Sequence, residues 1–401
     1  MDVQEGEVLN YDIVVVGGGP AGNTAARFAA REGADVLVLE KRQEIGSPVR
    51  CAEGVSLSWL EELEIENIES CTSRTMKGAI LYSPAGNELK ITEKMAGDEV
   101  GVVLERDLFD KEMARLAGKE GADFMVKTSA VGLIIEEGVV KGVEARSMGK
   151  KFEVRADLVI GADGFESQVG RWAGIYDSLK PKDIMTCFQY RMTGITMNPD
   201  YTHFYMGSDA PGGYVWVFPK GENMANVGLG IQLSRVEGEK TPKDYLDDFL
   251  ETHEHYSNGE AVDMVAGAVA VTHPTEKVTA PGIILVGDAA RVVDPMTGGG
   301  IVNSLKQGKI AGEFAAEAVK KGRVDEEYMD KYEERWRDKL ENKLWRNYMA
   351  KETATNLDDE TFDKIIDALS EFDLETVTIG AILEGVKKKY PELVEEFQDM
   401  I

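Results

Sequence analysis

The sequence predicts an α/β protein with three parts: a doubly wound parallel-sheet domain, an inserted antiparallel sheet and a C-terminal helical region. Three observations carry that reading. A short apolar run at residues 13–16 leads into the glycine cluster at 17–22. Between about 181 and 273, aromatic side chains alternate with small apolar ones. Beyond Gly298-Gly299-Gly300, apolar residues recur at helical spacing toward the end of the chain. At 401 residues the chain is also longer than one hydrophobic core usually organises.

Each element follows from its local pattern. The run IVVV at 13–16 is continuous rather than alternating, which suits a strand buried on both faces. Residues 23–31 read as a helix that Gly33 stops, and VLVL at 36–39 reads as a second buried strand. Together these make a βαβ unit. Residues 156–160 and 283–286 are further buried strands, leading into Asp163-Gly164 and Gly287-Asp288. Between 136 and 154, alternation broken by Gly138 and a Gly-Lys turn predicts antiparallel hairpins. Tyr214, Trp216 and Phe218 alternate with Val215 and Val217, a second strand follows at 224–231, and a helix surrounds 245–250. Met329, Tyr332, Trp336, Leu340 and Leu344 recur at steps of three and four, as one buried helix face does. The expected division is a discontinuous first domain at 1–75, 100–175 and 275–322, a sheet domain at 76–99 and 176–274, and a helical region at 323–401.

Composition narrows the function classes. Forty-five Lys plus Arg against 72 Asp plus Glu leave a formal charge of −27. A surface of that sign repels phosphate backbones, so no nucleic-acid partner is expected. No apolar run reaches the ~18 residues of a membrane helix, and the first residues lack the pattern of a secretory signal. Cys51, Cys71 and Cys187 are odd in number and widely spaced, and four histidines are scattered. Such usage fits a reducing, cytoplasmic setting and gives no metal-ligand pattern.

The cluster Gly17-Gly18-Gly19-Pro20-Ala21-Gly22 fits G-x-G-x-x-G between a strand and a helix. Gly17 permits the tight turn, Gly19 lets a pyrophosphate approach the backbone, and Gly22 lets helix and strand pack closely. The helix N-terminus adds N–H groups and a positive dipole end. Glu40 ends the second strand, where an acid accepts hydrogen bonds from an adenosine ribose. NAD and FAD both use such a unit. Asp288, at a later strand end, suits a ribityl hydroxyl, which NAD lacks. The helix opening at Gly300 and Ile301 presents an N-terminus to the pyrimidine edge of a flavin. Arg106, at the start of the helix in LERDLFDKEM, is placed either to clamp phosphate or ribityl or to form a surface ion pair.

With these residues in view, the chain resembles the FAD-dependent geranylgeranyl reductase family, particularly its archaeal members acting on digeranylgeranylglycerophospholipids. That family lies within the para-hydroxybenzoate-hydroxylase-like flavoproteins. The matching stretches are VVVGGGPAGNTAARFAA, EKRQEIGSPVRCAEG, LERDLFDK, GADGFES, PGGYVWVFPKGENMANVG and LVGDAARVVDPMTGGGIVNS. One departure is visible: the hydroxylases' D-G-x-x-S-x-x-R pattern places Arg where this chain has Gly170, with Arg171 next. The resemblance implies a Rossmann-like FAD-binding domain of the hydroxylase type with the sheet domain inserted. It implies FAD contacts at Ala21, Glu40, Arg106, Ala130, Asp288, Gly300 and Ile301, and from the turn Cys51-Ala52-Glu53-Gly54.

For the substrate, Tyr214, Trp216 and Phe218 share one strand face and either wall an isoprenoid slot or fill a core. The resemblance to a Y-x-W-x-F-P-K-G strand favours the slot. Lys220 is expected to meet a lipid phosphate or to cap the strand in water. Cys51 is the candidate catalytic residue, with Arg50 as a neighbouring cation able to lower its pKa. Cys71 and Cys187 are taken as structural. The expected activity is hydride transfer from reduced FAD to the C=C bonds of a geranylgeranyl lipid, with electrons from an external donor and peripheral contact with the membrane. An aromatic monooxygenase, a flavin- or lipid-binding protein without catalysis, and an NADPH-using chlorophyll-type reductase are the alternatives.

Overall fold

The structure is a computed structural model that describes residues 3–65, 67–92, 95, 101–371 and 379–393. Its first sheet is centred on Val8–Val16, which pairs in parallel with Val36–Leu39 and with Lys150–Gly161. The sheet continues through Asp123–Met125 on one side, and through Ile283–Leu285 and Thr279–Ala280 on the other. Ile13, Val14, Val15, Leu37, Val38 and Val159 are wholly buried, as expected of strands covered on both faces. Thr128–Glu136 and Val139–Ser147 extend the first half of Lys150–Gly161 as an antiparallel meander, in line with the predicted hairpins.

Two helices on this sheet meet unusually closely. A Cβ on Gly308 of helix Ile301–Lys321 would lie 2.6 Å from the Ala21 carbonyl oxygen, and one on Gly312 would lie 2.3 Å from that of Ala25. Glycine at both positions lets this helix rest on the backbone of Pro20–Arg31. Their first turns therefore come together, with Gly287 between Ala21 and Ser304.

The second sheet runs Glu260–Ala270, Ile184–Thr193, Met224–Gln232, Tyr214–Pro219, Thr202–Met206, Gly78–Tyr82 and Glu88–Thr92. It is not wholly antiparallel as expected, because Thr202–Met206 pairs in parallel with Gly78–Tyr82. The hairpin containing Gly78–Tyr82 arrives from a distant stretch of chain, so no tight turn forces the antiparallel direction there. One face buries Val215, Val217, Val227 and Leu229 against Leu246 and Phe249 of helix Pro242–Thr252. The opposite face is turned toward the first sheet.

The 29-residue helix Glu326–Ala354 joins the first sheet's core through Met329, Tyr332, Trp336, Leu340 and Leu344, the five positions the periodicity marks. Helices Asp359–Ser370 and Ile379–Lys389 cover the outer hairpin, where Ile366 and Leu369 meet Leu89 and Ile91.

Candidate active site

The glycine cluster behaves as its spacing predicts. Gly17 has φ +111°, and a Cβ there would lie 2.3 Å from the Ala162 carbonyl oxygen; one on Gly22 would lie 1.9 Å from that of Gly17. A Cβ on Gly19 would meet nothing within 4 Å, so its backbone faces open space. The helices beginning at Pro20 and Ile301 both start on this space, with neither a side-chain cap nor an acid in the first turn. Elsewhere Thr241, Asp325 and Asp358 cap their helices. Two uncapped N-termini leave N–H donors and positive dipole ends aimed at a common ligand. Glu40 accepts from the backbone N–H groups of Gly18 (3.0 Å) and Arg42 (2.8 Å). Thr128 donates to the Glu40 carbonyl at 2.9 Å, which brings Ala130 alongside. Asp288 lines the same space, and burial pushes its carboxyl up, with Arg106 and Arg291 opposing.

Cys51 heads a turn that closes this space. Its Sγ accepts from the Glu53 N–H at 3.2 Å. Burial raises the thiol pKa more than the nearby Arg106 guanidinium lowers it. Arg106, rather than Arg50, is the cation facing Cys51. It is no surface pair: its buried guanidinium grips Asp110 through two bonds of 2.8 and 2.9 Å.

Beside Cys51, Glu53 has a left-handed backbone (φ +78°) and is 1% exposed. Its carboxylate accepts from Asn226 (2.7 Å), Arg191 (3.0 Å) and the Arg106 N–H (2.8 Å), and pairs with Lys220 at 2.6 Å. Lys220 also lies 3.1 Å from Glu105 and donates to the Leu104 carbonyl. Lys220 therefore neither reaches a lipid phosphate nor caps a strand in water; its side chain is 1% exposed, because Glu53 draws it inward. The sequence reading missed this hub, since its partners lie far apart along the chain.

Tyr214, Trp216 and Phe218 all line the opposite wall, with Phe204 packed edge-on between Tyr214 and Phe218 at 5.5 Å from each. Trp216 donates to Gln189 Oε1 at 2.8 Å, and Gln189 Nε2 donates to the Cys51 carbonyl at 3.2 Å. A Cβ on Gly228 would strike the Trp216 ring at 2.6 Å, and one on Gly54 would strike Phe218 at 2.7 Å. The aromatic strand thus abuts the Cys51–Gly54 turn directly. Cys71 is buried, while burial pushes the Cys187 thiol up to about 12. A Cβ on Gly170 would lie 2.8 Å from Leu285 and 2.6 Å from Ser167, so this fold leaves no space for an arginine side chain there. One cavity of about 2890 Å³ is lined by the glycine cluster, Glu40, Arg106, Asp288, the Cys51–Gly54 turn and the aromatic strand.

Fold and site together define an FAD-dependent oxidoreductase. Residues 12–184 match the FAD dependent oxidoreductase family, and residues 183–269 match the geranylgeranyl reductase catalytic domain. The chain is 48% identical to the digeranylgeranylglycerophospholipid reductase of Thermoplasma volcanium, over 98% of this chain and 99% of that one. It is 50% identical to digeranylgeranylglycerophospholipid reductase 1 of Methanococcoides burtonii, over 94% and 93%. A crystal structure of a geranylgeranyl bacteriochlorophyll reductase-like protein from Thermoplasma acidophilum is similar at TM-score 0.92 and 46% identity, covering 98% of this chain and 100% of that one. A flavin-dependent brominase shares the fold alone (TM-score 0.68, 19% identity, 98% and 93% covered). The chain belongs to the digeranylgeranylglycerophospholipid reductase family, and neither the monooxygenase nor the non-catalytic alternative is favoured. The residues present fit FAD: an open glycine backbone, two acid-free helix N-termini, and Asp288, whose carboxylate accepts no hydrogen bond from a described residue.

Proposed function

We propose that this enzyme saturates the C=C bonds of geranylgeranyl chains on 2,3-digeranylgeranylglycerophospholipids, giving archaeol-type lipids. The observation that carries this is the single cavity of about 2890 Å³ running from the glycine backbone to an aromatic wall. That space admits a long apolar chain beside a dinucleotide. Gly17, Gly19, Ala21 and Gly22 would hold the pyrophosphate, with Glu40 and Ala130 at the adenosine. Arg106, Asp288, Gly300, Ile301 and the turn Cys51-Ala52-Glu53-Gly54 would surround ribityl and flavin. When bound and reduced, FAD supplies the hydride.

The remaining tasks belong to the chain. An isolated alkene has no polar group to orient it, so Tyr214, Trp216 and Phe218 set its position by contact, and alignment governs the rate. Saturation also needs a proton at the second carbon. Cys51, kept as a neutral thiol by burial, is the proposed donor. Residues 1–75, 100–175 and 275–322 form the proposed FAD-binding unit, 76–99 and 176–274 the substrate unit, and 323–401 the helical region. Among the described residues no helix is long and apolar enough to cross a membrane. Peripheral contact with the bilayer is therefore the proposed route for lipid, with electrons from an external donor.

The test is anaerobic turnover of digeranylgeranylglycerol phospholipid with chemically reduced holoenzyme. Products gaining two hydrogens per double bond support the proposal. Oxygen uptake with a hydroxylated product overturns it.

A further inference from the structure

We infer that Lys343, Arg346 and Lys351, on helix Glu326–Ala354, bind the headgroup phosphate of the substrate at the rim of the cavity. This rests on the phospholipid reading above and adds a site to it. All three cations line the cavity, together with Asn347. Lys343 and Arg346, three residues apart, share one side of the helix with Asn347, whereas Lys351, seven residues past Leu344, sits on its buried side.

The charge pattern along this helix changes abruptly. Residues 326–341 carry seven acids, whereas 342–351 (NKLWRNYMAK) carry three cations and none. In a chain of net charge −27, ten residues without an acid at a cavity rim favour an anion there. Arg346 is exposed and makes no ion pair, hydrogen bond or ring contact among the described residues. Its fork suits phosphate geometry. Lys351 is 3% exposed; its ammonium lies 2.6 Å from Glu352 and 3.5 Å from Asp183, yet it is aligned for a hydrogen bond with neither. Lys351 thus has its charge matched by two carboxylates within the chain, and adds N–H donors on the cavity wall beside the unpaired Arg346.

The surroundings match a lipid source for the anion. Asn347 donates to Asp294 at 2.6 Å and ties the helix to the loop carrying Met296. Met296, on the same rim, is 38% exposed, and Trp345 and Met349 flank Arg346 on the outside at 42% and 52%. Apolar and aromatic groups beside cations suit the boundary between headgroups and chains.

The test uses holoenzyme, wild type and Arg346→Ala, Arg346→Lys and Lys343→Ala/Arg346→Ala. Each is assayed with a digeranylgeranylglycerol phospholipid and with geranylgeraniol, which has no phosphate. Flavin content and melting temperature check that each variant is folded. The expected result is a ~10-fold rise in the ratio of phospholipid to alcohol KM for Arg346→Ala, larger in the double variant and smaller for Arg346→Lys, as loss of a charge-assisted hydrogen bond implies. An unchanged ratio in the double variant overturns the site. In wild type, inorganic phosphate should raise KM for the phospholipid beyond a chloride control of equal ionic strength, and leave the alcohol alone. Equal inhibition of both substrates assigns the cations to a free anion and overturns the headgroup reading. Failure of wild type to reduce either substrate would instead defeat the lipid reading itself.

Discussion

At the scale of single residues, protonation decides what Cys51 can do. Arg106 pulls its thiol toward thiolate, but burial outweighs that pull, so the folded pKa lies above the ordinary thiol value. The thiol therefore holds its proton at neutral pH and ionises only as the pH rises past the range of a free cysteine. Alkylation of holoenzyme by iodoacetamide should accelerate at higher pH than it does for a small thiol, and Arg106→Met should move that rise higher still. An inflection at or below the free-thiol value would remove the proton-donor role. Cys51→Ser keeps approximate size and should leave FAD bound while slowing alkene reduction more than flavin reduction. Stopped-flow absorbance separates the two half-reactions, and wild-type rates in both would leave Cys51 as packing. Glu40 holds the backbone N–H groups of Gly18, in the glycine loop, and of Arg42, as well as its proposed ribose contact. Glu40→Ala should therefore loosen FAD by ~1.5–3 kcal/mol, roughly 10- to 100-fold in Kd. Equilibrium dialysis showing unchanged affinity would place the ribose elsewhere.

At the scale of elements, the buried hub at Glu53 ties the turn beside Cys51 to the aromatic sheet, through Lys220, just past the end of strand Tyr214–Pro219, and Asn226 on the neighbouring strand. A left-handed backbone on a non-glycine residue is strained and persists only where its surroundings determine it. Lys220→Ala should cost ~1–3 kcal/mol in denaturant unfolding, because it removes one of the two cations on the buried Glu53 carboxylate and leaves Arg191 alone to balance it. Glu53→Gln/Lys220→Met leaves no buried charge and should recover much of that loss. Equal losses in the two variants would show that the pair's charge is not what matters. Legibility in the sequence divides along the same line. The βαβ unit could be read because a continuous apolar strand, a glycine turn and a helix are neighbours along the chain. So could the buried face of helix Glu326–Ala354, though not the sheet that it covers. Lys220 could not, since its environment is set by Glu53 and Glu105, brought in by folding. The Gly308-x-x-x-Gly312 spacing is a local sign of the close helix contact that both glycines permit.

At the scale of the whole molecule, the cavity exists because two sheets face each other and the C-terminal helices close the remaining side. Its aromatic wall was legible as one strand face, but whether that face met a core or a cavity depended on the rest of the fold. Val215 and Val217 take the core side, leaving Tyr214, Trp216 and Phe218 on the cavity side. Trp216 is the informative position, being 9% exposed and bonded to Gln189, so its removal both widens the slot and frees a partner. If it aligns the isoprenoid chain, Trp216→Ala should keep FAD and still accept electrons. Reduction of the long lipid should then fall by up to ~10²-fold through misplacement of the double bond. Partly saturated products should accumulate as the chain settles into new registers. A purely structural role forecasts a different combination, with a lower melting temperature, looser FAD and the product pattern of wild type. Thermal stability, flavin content and product distribution, measured on one preparation, separate the two. A destabilised variant whose residual turnover gives the wild-type pattern would take Trp216 out of the substrate slot.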